Sequence, residues 1–290
     1  MGSAKKRPAL AEEFRAVTNN AQRVDLAAID PGAHRSISKR RATDDVESGK
    51  LRDRLARLSD LIDANRDRSV LLVLQGLDGS GKSGVVRHVV GAMTPSIVRV
   101  RAFKEPTAAE RRHHFLWRIE QELPDPGELV VFDRSHYEDL VVPVVEGQLN
   151  ERELNERATT INRFERKLAK QQTEVIKLFL HLSFDAQRER FLRRLRRPDK
   201  RWKFSESDLD TRDHWSEIQA AFSQVMGLTN TDDAPWYVVP ADERWYRNWI
   251  VANILCERLE ALNMQYPQPV LDDHSIIARL NASANQEPAP

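Results

Sequence analysis

The chain has 290 residues, 40% of them hydrophobic, which suffices for one large α/β domain or two small ones. A formal net charge of +1 gives no overall attraction to nucleic acids or anionic membranes, so an anionic partner must be bound by local clusters of charge. A single cysteine excludes an intramolecular disulfide framework and a cysteine-based zinc site, and no apolar run has the length of a membrane span. We expect a cytoplasmic protein without a nucleic-acid or membrane partner.

Small, basic and polar residues with proline and glycine breakers predict an extended or partly ordered arm over residues 1–42. Apolar residues at helical spacing between Asp44 and Ala64 predict one helix that packs across the core. After it, longer helical patterns separate apolar runs at 70–75, 97–100, 129–132, 175–182 and 236–239. This alternation predicts an α/β fold with a parallel sheet of about five strands covered by helices on both faces. The core then spans 43–265, and a polar tail spans 266–290.

Residues 76–83 form a complete G-x-x-x-x-G-K-[ST] phosphate-binding loop between a predicted strand and a predicted helix. A glycine-rich turn in this position directs several backbone N–H groups to one point, where the helix dipole adds positive potential. The lysine of such a loop reaches a terminal phosphate, and its last hydroxyl faces a magnesium ion. The pattern therefore predicts phosphate binding by Gly76, Gly79, Ser80, Gly81, Lys82 and Ser83.

A second motif is the strand end Leu129–Phe132 followed by Asp133 and Arg134. A carboxylate at the end of a strand beside a phosphate loop holds magnesium, directly or through water. Arg134 projects from the same strand end, where it is placed to neutralise a transferring phosphoryl group. A plain surface turn is the alternative interpretation of the pair.

Asp78 lies inside the phosphate loop, where an acid repels phosphate unless a cation lies between them. We interpret it as a second carboxylate that faces magnesium or as a group that orients the acceptor phosphate. A turn-forming aspartate is the alternative.

Nine arginines and lysines lie between positions 188 and 203, with only two acidic residues among them. Apolar spacing predicts a helix over 185–196 that Pro198 ends, and a second helix that begins near Ser207. This arrangement, at about 185–215, is typical of the lid that closes arginines over the phosphates in nucleoside-phosphate kinases. A solvated helix face is the alternative, and a nucleic-acid backbone would also satisfy the charge. The segment lacks the aromatic-interleaved basic motifs of modules that bind RNA or DNA.

Two conspicuous side chains are assigned to the core. Cys256 lies on an apolar helical pattern and is interpreted as inert packing. Trp117 follows Phe115 and Leu116, a pattern that favours a core position over a base-stacking platform.

Several of these motifs, in this order, resemble the polyphosphate kinase 2 family. The resemblance covers residues 45–262 and is carried by 74–82, 103–107, 115–118, 132–139, 200–205 and 234–242. The Ser-His-Tyr-Glu-Asp block is most similar to the branch usually called class III, whose members are associated with phosphorylation of nucleoside mono- and diphosphates. The resemblance implies a three-layer P-loop kinase fold with a helical lid, and a homo-oligomer, either dimer or tetramer.

The resemblance also implies magnesium-dependent, reversible phosphoryl transfer between inorganic polyphosphate and nucleotides, from AMP to ADP and from ADP to ATP, with Mn²⁺ as an alternative ion. Lys82 and the loop are then expected to grip the exchanged phosphates, and Arg134 to stabilise the transferred group. The implied metal ligands are Asp78 and Asp133. The remaining implied residues are the lid cations Arg190, Arg194, Lys200 and Lys203 and the nucleotide-binding positions Lys104 and Glu138.

Two other classes of protein fit parts of the pattern. An ATP-dependent nucleoside-monophosphate kinase presents the same terminal phosphates to the same loop. A nucleotide-binding switch or a nucleic-acid-associated ATPase also uses a phosphate loop, but the chain lacks the Asn-Lys-x-Asp motif of guanine-reading switches. We therefore expect a polyphosphate-dependent nucleotide kinase.

Overall fold

A computed structural model describes residues 9–34 and 37–283. The strands are β1 (Ser69–Gln75), β2 (Val98–Ala102), β3 (Leu129–Asp133), β4 (Thr173–His181) and β5 (Trp236–Pro240). The α-helices are α1 (Leu10–Phe14), α2 (Lys39–Glu47), α3 (Lys50–Asn65), α4 (Lys82–His88), α5 (Trp117–Glu120), α6 (Glu138–Val145), α7 (Glu151–Lys170), α8 (Phe184–Arg196), α9 (Pro198–Arg201), α10 (Ser207–Asp213), α11 (Trp215–Thr229), α12 (Arg244–Glu260) and α13 (Asp273–Ser283). None of these helices is both long enough and apolar enough to cross a lipid bilayer.

The five strands form one parallel sheet in the order β2-β3-β1-β4-β5. The central strand β1 is buried along its whole length because β3 and β4 flank it and helices cover both faces. Leu74 of β1 pairs in register with Asp133 of β3, so the two strands end at the same edge of the sheet. The loops that follow β1 and β3 therefore meet at that edge, as in other open parallel sheets.

Two hydrophobic cores lie on opposite faces of the sheet. Alternate residues of β1 divide between them: Val70 and Leu72 pack with α2, α3, α4 and α12, whereas Leu71 and Val73 pack with α6, α7 and α11. Each face needs its own cover of helices because parallel strands expose apolar side chains on both sides. The predicted three-layer fold with a parallel five-stranded sheet is confirmed.

The region predicted as one helix between Asp44 and Ala64 consists of two. Helix α2 ends where the Ser48 N–H donates to the Asp44 carbonyl (3.0 Å), and α3 begins after Gly49. A Cβ atom at Gly49 would lie 2.9 Å from that same carbonyl oxygen, so the chain turns where only glycine fits. The prediction of a continuous helix is wrong because the apolar spacing continues across this glycine.

The described part of the predicted arm packs along the last strand and α12. Leu10 and Ala11 are buried, and their N–H groups donate to the two carboxylate oxygens of Glu257 (2.9 and 2.6 Å). Farther along, the Ala16 N–H donates to the Trp236 carbonyl (2.8 Å). Of the predicted arm and tail, residues 1–8, 35–36 and 284–290 lie outside the described part of the chain.

The interior of α12 contains Cys256, as predicted. Its side chain is 0% exposed, and burial raises the pKa of the thiol to about 12. A thiol in this state is protonated at neutral pH and is a poor nucleophile. The prediction of a packing role for this residue is confirmed.

We expect Glu257→Ala to lower the free energy of unfolding by about 2 kcal/mol, because two N–H groups of the arm lose a charged acceptor. The matched control is Glu260→Ala, on the same helix as Glu257. This variant removes a half-exposed ion pair with Arg54 of α3 and should cost less than about 1 kcal/mol. Urea denaturation of both variants measures the difference. Equal losses would contradict the anchoring role of Glu257.

Candidate active site

The phosphate loop, residues 76–83, connects the end of β1 to α4. Three of its glycines have positive φ angles, 137° at Gly76, 87° at Gly79 and 101° at Gly81. A Cβ atom at Gly76 would lie 2.8 Å from a backbone oxygen of β4. At Gly81 it would lie 2.0 Å from the guanidinium of Arg247. The loop therefore needs glycine for its backbone conformation and for the close approach of its neighbours.

The polar side chains of the loop lie in different environments. Lys82 is buried, and its ammonium donates to the Gly76 carbonyl (2.6 Å), which draws the two ends of the loop together. Ser83 is exposed in the first turn of α4. The buried Ser80 hydroxyl has no hydrogen-bond partner among the described residues. The strand–turn–helix setting is the one that phosphate binding requires.

Arg190 lies beneath the phosphate loop and not on the outer surface of the lid. It is 6% exposed, and its guanidinium donates to the carbonyls of Gly79 (2.6 Å) and Ser80 (3.1 Å). It also donates to the carbonyls of Ala241 and Asp242. The sequence predicts that this arginine closes over the phosphates, whereas the structure gives it hydrogen bonds to the carbonyl side of the loop.

Arg247 holds the same turn from α12, and the sequence interpretation missed it. It is 2% exposed, and it donates to the Ser80 carbonyl (3.0 Å) and to the Asn248 side chain (2.8 Å). Burial, with Arg190 and Arg244 nearby, lowers the pKa of Arg247 to about 9, so the group stays charged at neutral pH. The sequence signal for it is a charged residue at a buried position of an apolar helix.

A third donor comes from the same helix as Arg190. The Gln187 amide donates to the Asp78 carbonyl (2.8 Å). The carbonyls of three consecutive loop residues, Asp78, Gly79 and Ser80, are thus tied to α8 and α12. We call this set of hydrogen bonds the carbonyl clamp.

Arg134 and Asp78 form an ion pair at the edge of the loop, with 2.7 Å between guanidinium nitrogen and carboxylate oxygen. Arg134 directly follows Asp133 and has a φ of 65°, which is uncommon for a residue other than glycine. Its N–H donates to the Leu74 carbonyl (3.1 Å). Burial opposes its charge, but three nearby carboxylates, led by that of Asp78, outweigh the burial and raise its pKa. The Asp78 carboxylate and the Arg134 guanidinium, both predicted for the site, thus face each other.

Glu138, the first residue of α6, lies beside this ion pair. The Gln75 amide, in the orientation that satisfies its hydrogen bonds, donates to a Glu138 carboxylate oxygen (2.8 Å) and accepts from the Ser135 hydroxyl (3.1 Å). Burial raises the pKa of Glu138, although the charges of Arg134 and Lys82 act in the opposite direction. The last residue of β1 therefore holds a carboxylate next to the cations of the site.

Lys104 is exposed, and its carbonyl accepts a hydrogen bond from Arg118 (2.8 Å). Arg118 is buried and also donates to Asp139 (3.0 Å), the neighbour of Glu138. A cavity of about 540 Å³ opens at Arg118 and Asp139. Its walls also include Pro106, His113, Phe115 and Arg157. A polar cavity thus adjoins the helix that begins with Glu138.

Trp117 does not lie in the core, and that prediction is wrong. Its side chain is 37% exposed, and its ring stacks on that of His113 with 4.1 Å between ring centroids. Helix α5 has only four residues, and it turns Ile119 inward while leaving Trp117 at the surface. The run of apolar residues in the sequence does not indicate which of these side chains faces the sheet.

The lid segment, residues 185–215, contains α9, α10 and nearly all of α8, whose predicted position is confirmed. Arg194 donates to the Lys203 carbonyl (3.3 Å), which ties α8 to the turn after α9. The Lys203 ammonium lies 5.1 Å from the ring of Trp202, which is 76% exposed. Lys200 is half-buried in α9 itself. The lid cations other than Arg190 therefore cluster at the outer end of α8.

The candidate metal ligands are Asp78, Asp133 and the Ser83 hydroxyl. Within residues 9–34 and 37–283, no three His, Cys, Asp or Glu side chains come together as a metal cage. Magnesium usually takes one or two carboxylates and completes its shell with water and substrate phosphates. A set of two carboxylates and one hydroxyl fits a metal of this kind.

The fold and the site together define a class of protein. A phosphate loop follows the central strand, an acid and an arginine follow the adjacent strand, and a basic helical segment packs beside them. These are the elements of a P-loop phosphotransferase of the nucleotide-kinase type.

Comparison with known proteins gives the family. The model of the polyphosphate kinase 2 family matches residues 38–267. An AMP/ADP-polyphosphate phosphotransferase from Meiothermus ruber is 45% identical over 227 residues, which cover 78% of this chain and 85% of that protein. An ADP-polyphosphate phosphotransferase from Rhodopseudomonas palustris is 38% identical over 74% of this chain and 79% of its own length.

The crystal structure of polyphosphate kinase 2 from Arthrobacter aurescens TC1 has a TM-score of 0.90 and 36% sequence identity, and the match covers 98% of this chain and 100% of that one. The chain belongs to the polyphosphate kinase 2 family. The resemblance drawn from the sequence motifs is confirmed.

We expect Gly81→Ala to lower the free energy of unfolding by about 3 kcal/mol. About 1 kcal/mol comes from the positive φ angle, and about 2 kcal/mol from displacement of the Arg247 guanidinium, which leaves the Ser80 carbonyl without this donor. The matched control is Gly147→Ala, which also has a positive φ but no heavy atom within 4 Å of the added methyl, and should lose about 1 kcal/mol. Urea denaturation compares the two, and equal losses would contradict the close fit of Arg247 against the loop.

Proposed function

We propose that this chain transfers phosphoryl groups between inorganic polyphosphate and nucleotides, converting AMP to ADP and ADP to ATP in a reversible reaction. The observation that carries the proposal is a phosphate loop that lies beside Asp133 and Arg134 at the end of the adjacent strand. The carbonyl clamp fixes this loop. The name of the Meiothermus ruber relative includes both AMP and ADP, which supports the choice of AMP and ADP as acceptors.

The chemistry needs positioning and charge neutralisation more than a covalent intermediate, because phosphoryl transfer passes through a loose transition state. The backbone N–H groups of the loop and the Lys82 ammonium bind the phosphates being exchanged. To do so, Lys82 exchanges its hydrogen bond to the Gly76 carbonyl for a phosphate oxygen. Preorganised donors of this kind gain strength as charge develops on the transferred group.

Arg134 acts on the transferred phosphoryl group. It first leaves Asp78, its partner in the ion pair, and this release frees the Asp78 carboxylate. Asp78, Asp133 and Ser83 are the proposed ligands of Mg²⁺, or of Mn²⁺, which supplies positive charge between two polyanions. The positive φ angle of Arg134 turns its side chain out of the direction that β3 would otherwise impose.

The acceptor nucleotide occupies the cavity beside Arg118 and Asp139 in this proposal; Glu138 precedes Asp139 in the chain, and the Lys104 carbonyl accepts a hydrogen bond from Arg118. Its volume of about 540 Å³ lies within the usual range for small-molecule sites. The stacked rings of His113 and Trp117 form a flat surface near this cavity. The nucleoside is therefore held on the α5–α6 side of the sheet edge.

The polyphosphate chain lies along the opposite side, under the lid. Arg194, Lys200 and Lys203 close over it from the outer end of α8, while Arg190 acts from beneath the loop. A cytoplasmic location, where the nucleotide substrates occur, and assembly as a dimer or tetramer complete the proposal.

The first experiment incubates the purified chain with Mg²⁺, long-chain polyphosphate and either ADP or AMP, without ATP. We expect chromatography to detect ATP from ADP, and ADP followed by ATP from AMP. If polyphosphate gives no product while ATP and AMP give ADP, the chain is an ATP-dependent nucleoside-monophosphate kinase and the proposal fails.

We expect Asp133→Asn to lower kcat by about 100-fold or more, because the strand end loses the charge that faces the metal and the phosphates. Folding should change little, since the carboxylate is only half-buried and amide and carboxylate have the same shape. Asp232→Asn is the control, because this exposed acid precedes β5 at the other edge of the sheet. Near-normal turnover of Asp133→Asn would remove Asp133 from the metal site.

A further inference from the structure

A buried ion pair lies in the core behind the active site. Lys177 occupies the middle of β4 and Glu165 lies on α7, and both side chains are 0% exposed. The Lys177 ammonium donates to Glu165 (2.7 Å), to the Tyr137 hydroxyl (2.9 Å) and to the Thr229 carbonyl (2.8 Å). Because an ammonium has three N–H groups, each of them has an acceptor in the core.

Tyr137 joins this pair to the active site. Its hydroxyl accepts from Lys177 and donates to the second Glu165 oxygen at 2.6 Å. Burial and the charge of Glu165 raise the pKa of the Tyr137 hydroxyl well above its usual value, so it remains a donor. Its ring packs edge-on against Trp236, with 4.7 Å between centroids. The tyrosine is thus fixed at its hydroxyl and along its ring.

The same tyrosine belongs to the β3–α6 turn, residues 133–138, which carries the active-site side chains. Its N–H approaches the Ser135 hydroxyl (3.3 Å), and the Glu138 N–H donates to the Ser135 carbonyl (3.1 Å). Within this turn, Arg134 has a positive φ angle, a conformation that persists only where the surroundings enforce it. Two side chains of the turn reach the buried ion pair: Tyr137 through two hydrogen bonds, and His136, whose Nε2 lies 3.5 Å from a Glu165 oxygen.

Stability alone does not account for two charges in this position. Replacing a buried ion pair with apolar side chains of similar volume is often neutral or stabilising, because charges lose hydration when they are buried. Burial opposes ionisation of Glu165, but Lys177 and His136 outweigh it and lower the pKa of the carboxyl, so the pair stays charged. What the charges provide beyond packing is a set of directional bonds, two of which meet at the Tyr137 hydroxyl.

We propose that the Lys177–Glu165 pair is a positioning device for the β3–α6 turn, and that it acts through the hydroxyl of Tyr137. It holds the turn so that Arg134 and Glu138 keep their places at the loop edge. Lys177, Glu165 and Tyr137 are positioning residues, since none of them reaches the phosphates. The kinetic part of the test rests on the proposed polyphosphate-dependent activity.

The test variant is Tyr137→Phe, which keeps the ring and removes only the hydroxyl. The control is Ser69→Ala, which removes a buried hydroxyl bonded to Thr173 (2.9 Å) at the opposite end of the central strand. We expect Tyr137→Phe to lower kcat by about 10-fold or more with little change in the KM for polyphosphate, because a small displacement of reacting groups is costly. Ser69→Ala should keep the wild-type kcat.

A second measurement does not depend on activity. Backbone hydrogen exchange over residues 134–141 should be at least about 10-fold faster in Tyr137→Phe than in the wild type, and unchanged in Ser69→Ala, because only the former frees the turn. Wild-type exchange rates in Tyr137→Phe would overturn the proposal, as would a wild-type kcat.

A double variant tests the ion pair itself. Lys177→Met with Glu165→Leu removes both charges at similar volume, so the fold is expected to survive. We expect the kcat and exchange pattern of Tyr137→Phe in this variant. If the double variant folds and turns over polyphosphate at the wild-type rate, the pair has no positioning role. If it does not fold, Tyr137→Phe alone decides.

The two levels of the argument fail in different ways. Failure of the proposed function appears as no ATP formed from ADP by the wild type, in which case hydrogen exchange still decides the positioning role. If the positioning role fails, the wild type is active and the Tyr137→Phe variant has the same kcat and the same exchange rates as the wild type.

Discussion

The structure of the site depends on the carbonyl clamp. A peptide unit carries its N–H and its carbonyl in opposite directions, so fixing the carbonyl determines where the N–H points. Gln187, Arg190 and Arg247 bind the carbonyls of three consecutive residues of the loop and so fix the direction of the N–H groups that follow them, of which that of Ser80 donates back to the Leu77 carbonyl (3.0 Å). Because the two arginines bond to neutral acceptors, their charges also remain available to attract an anion through the loop.

The clamp joins parts of the fold that are distant in sequence. Gln187 and Arg190 lie on α8, the first helix of the lid, while Arg247 lies on α12, which also anchors the N-terminal arm through Glu257. Because α8 supplies two of these donors, any movement of α8 also acts on the loop. The arm, in turn, rests on α12, the helix that supplies Arg247 to the clamp.

The elements with local signals could be predicted from the sequence. The phosphate loop, the strand that ends at Asp133, the parallel sheet and the basic helix each follow from patterns within short segments. The position of Arg190 could not be predicted, because a basic helix does not indicate which of its arginines faces the protein. The positions of Arg247 and of the Lys177–Glu165 pair could not be predicted because they depend on contacts between distant segments. The break between α2 and α3 could not be predicted because it depends on how close a backbone oxygen lies to Gly49.

The ion pair between Arg134 and Asp78 has a consequence for selectivity. An anion that binds Arg134 competes with a carboxylate already in hydrogen-bond contact with it. Inorganic phosphate or sulfate offers few contacts with which to outweigh that competition, whereas in the proposed function a chain of phosphates would engage the loop, the lid segment and a metal ion together. Under the proposed function, the site would therefore discriminate against small anions by the number of simultaneous contacts.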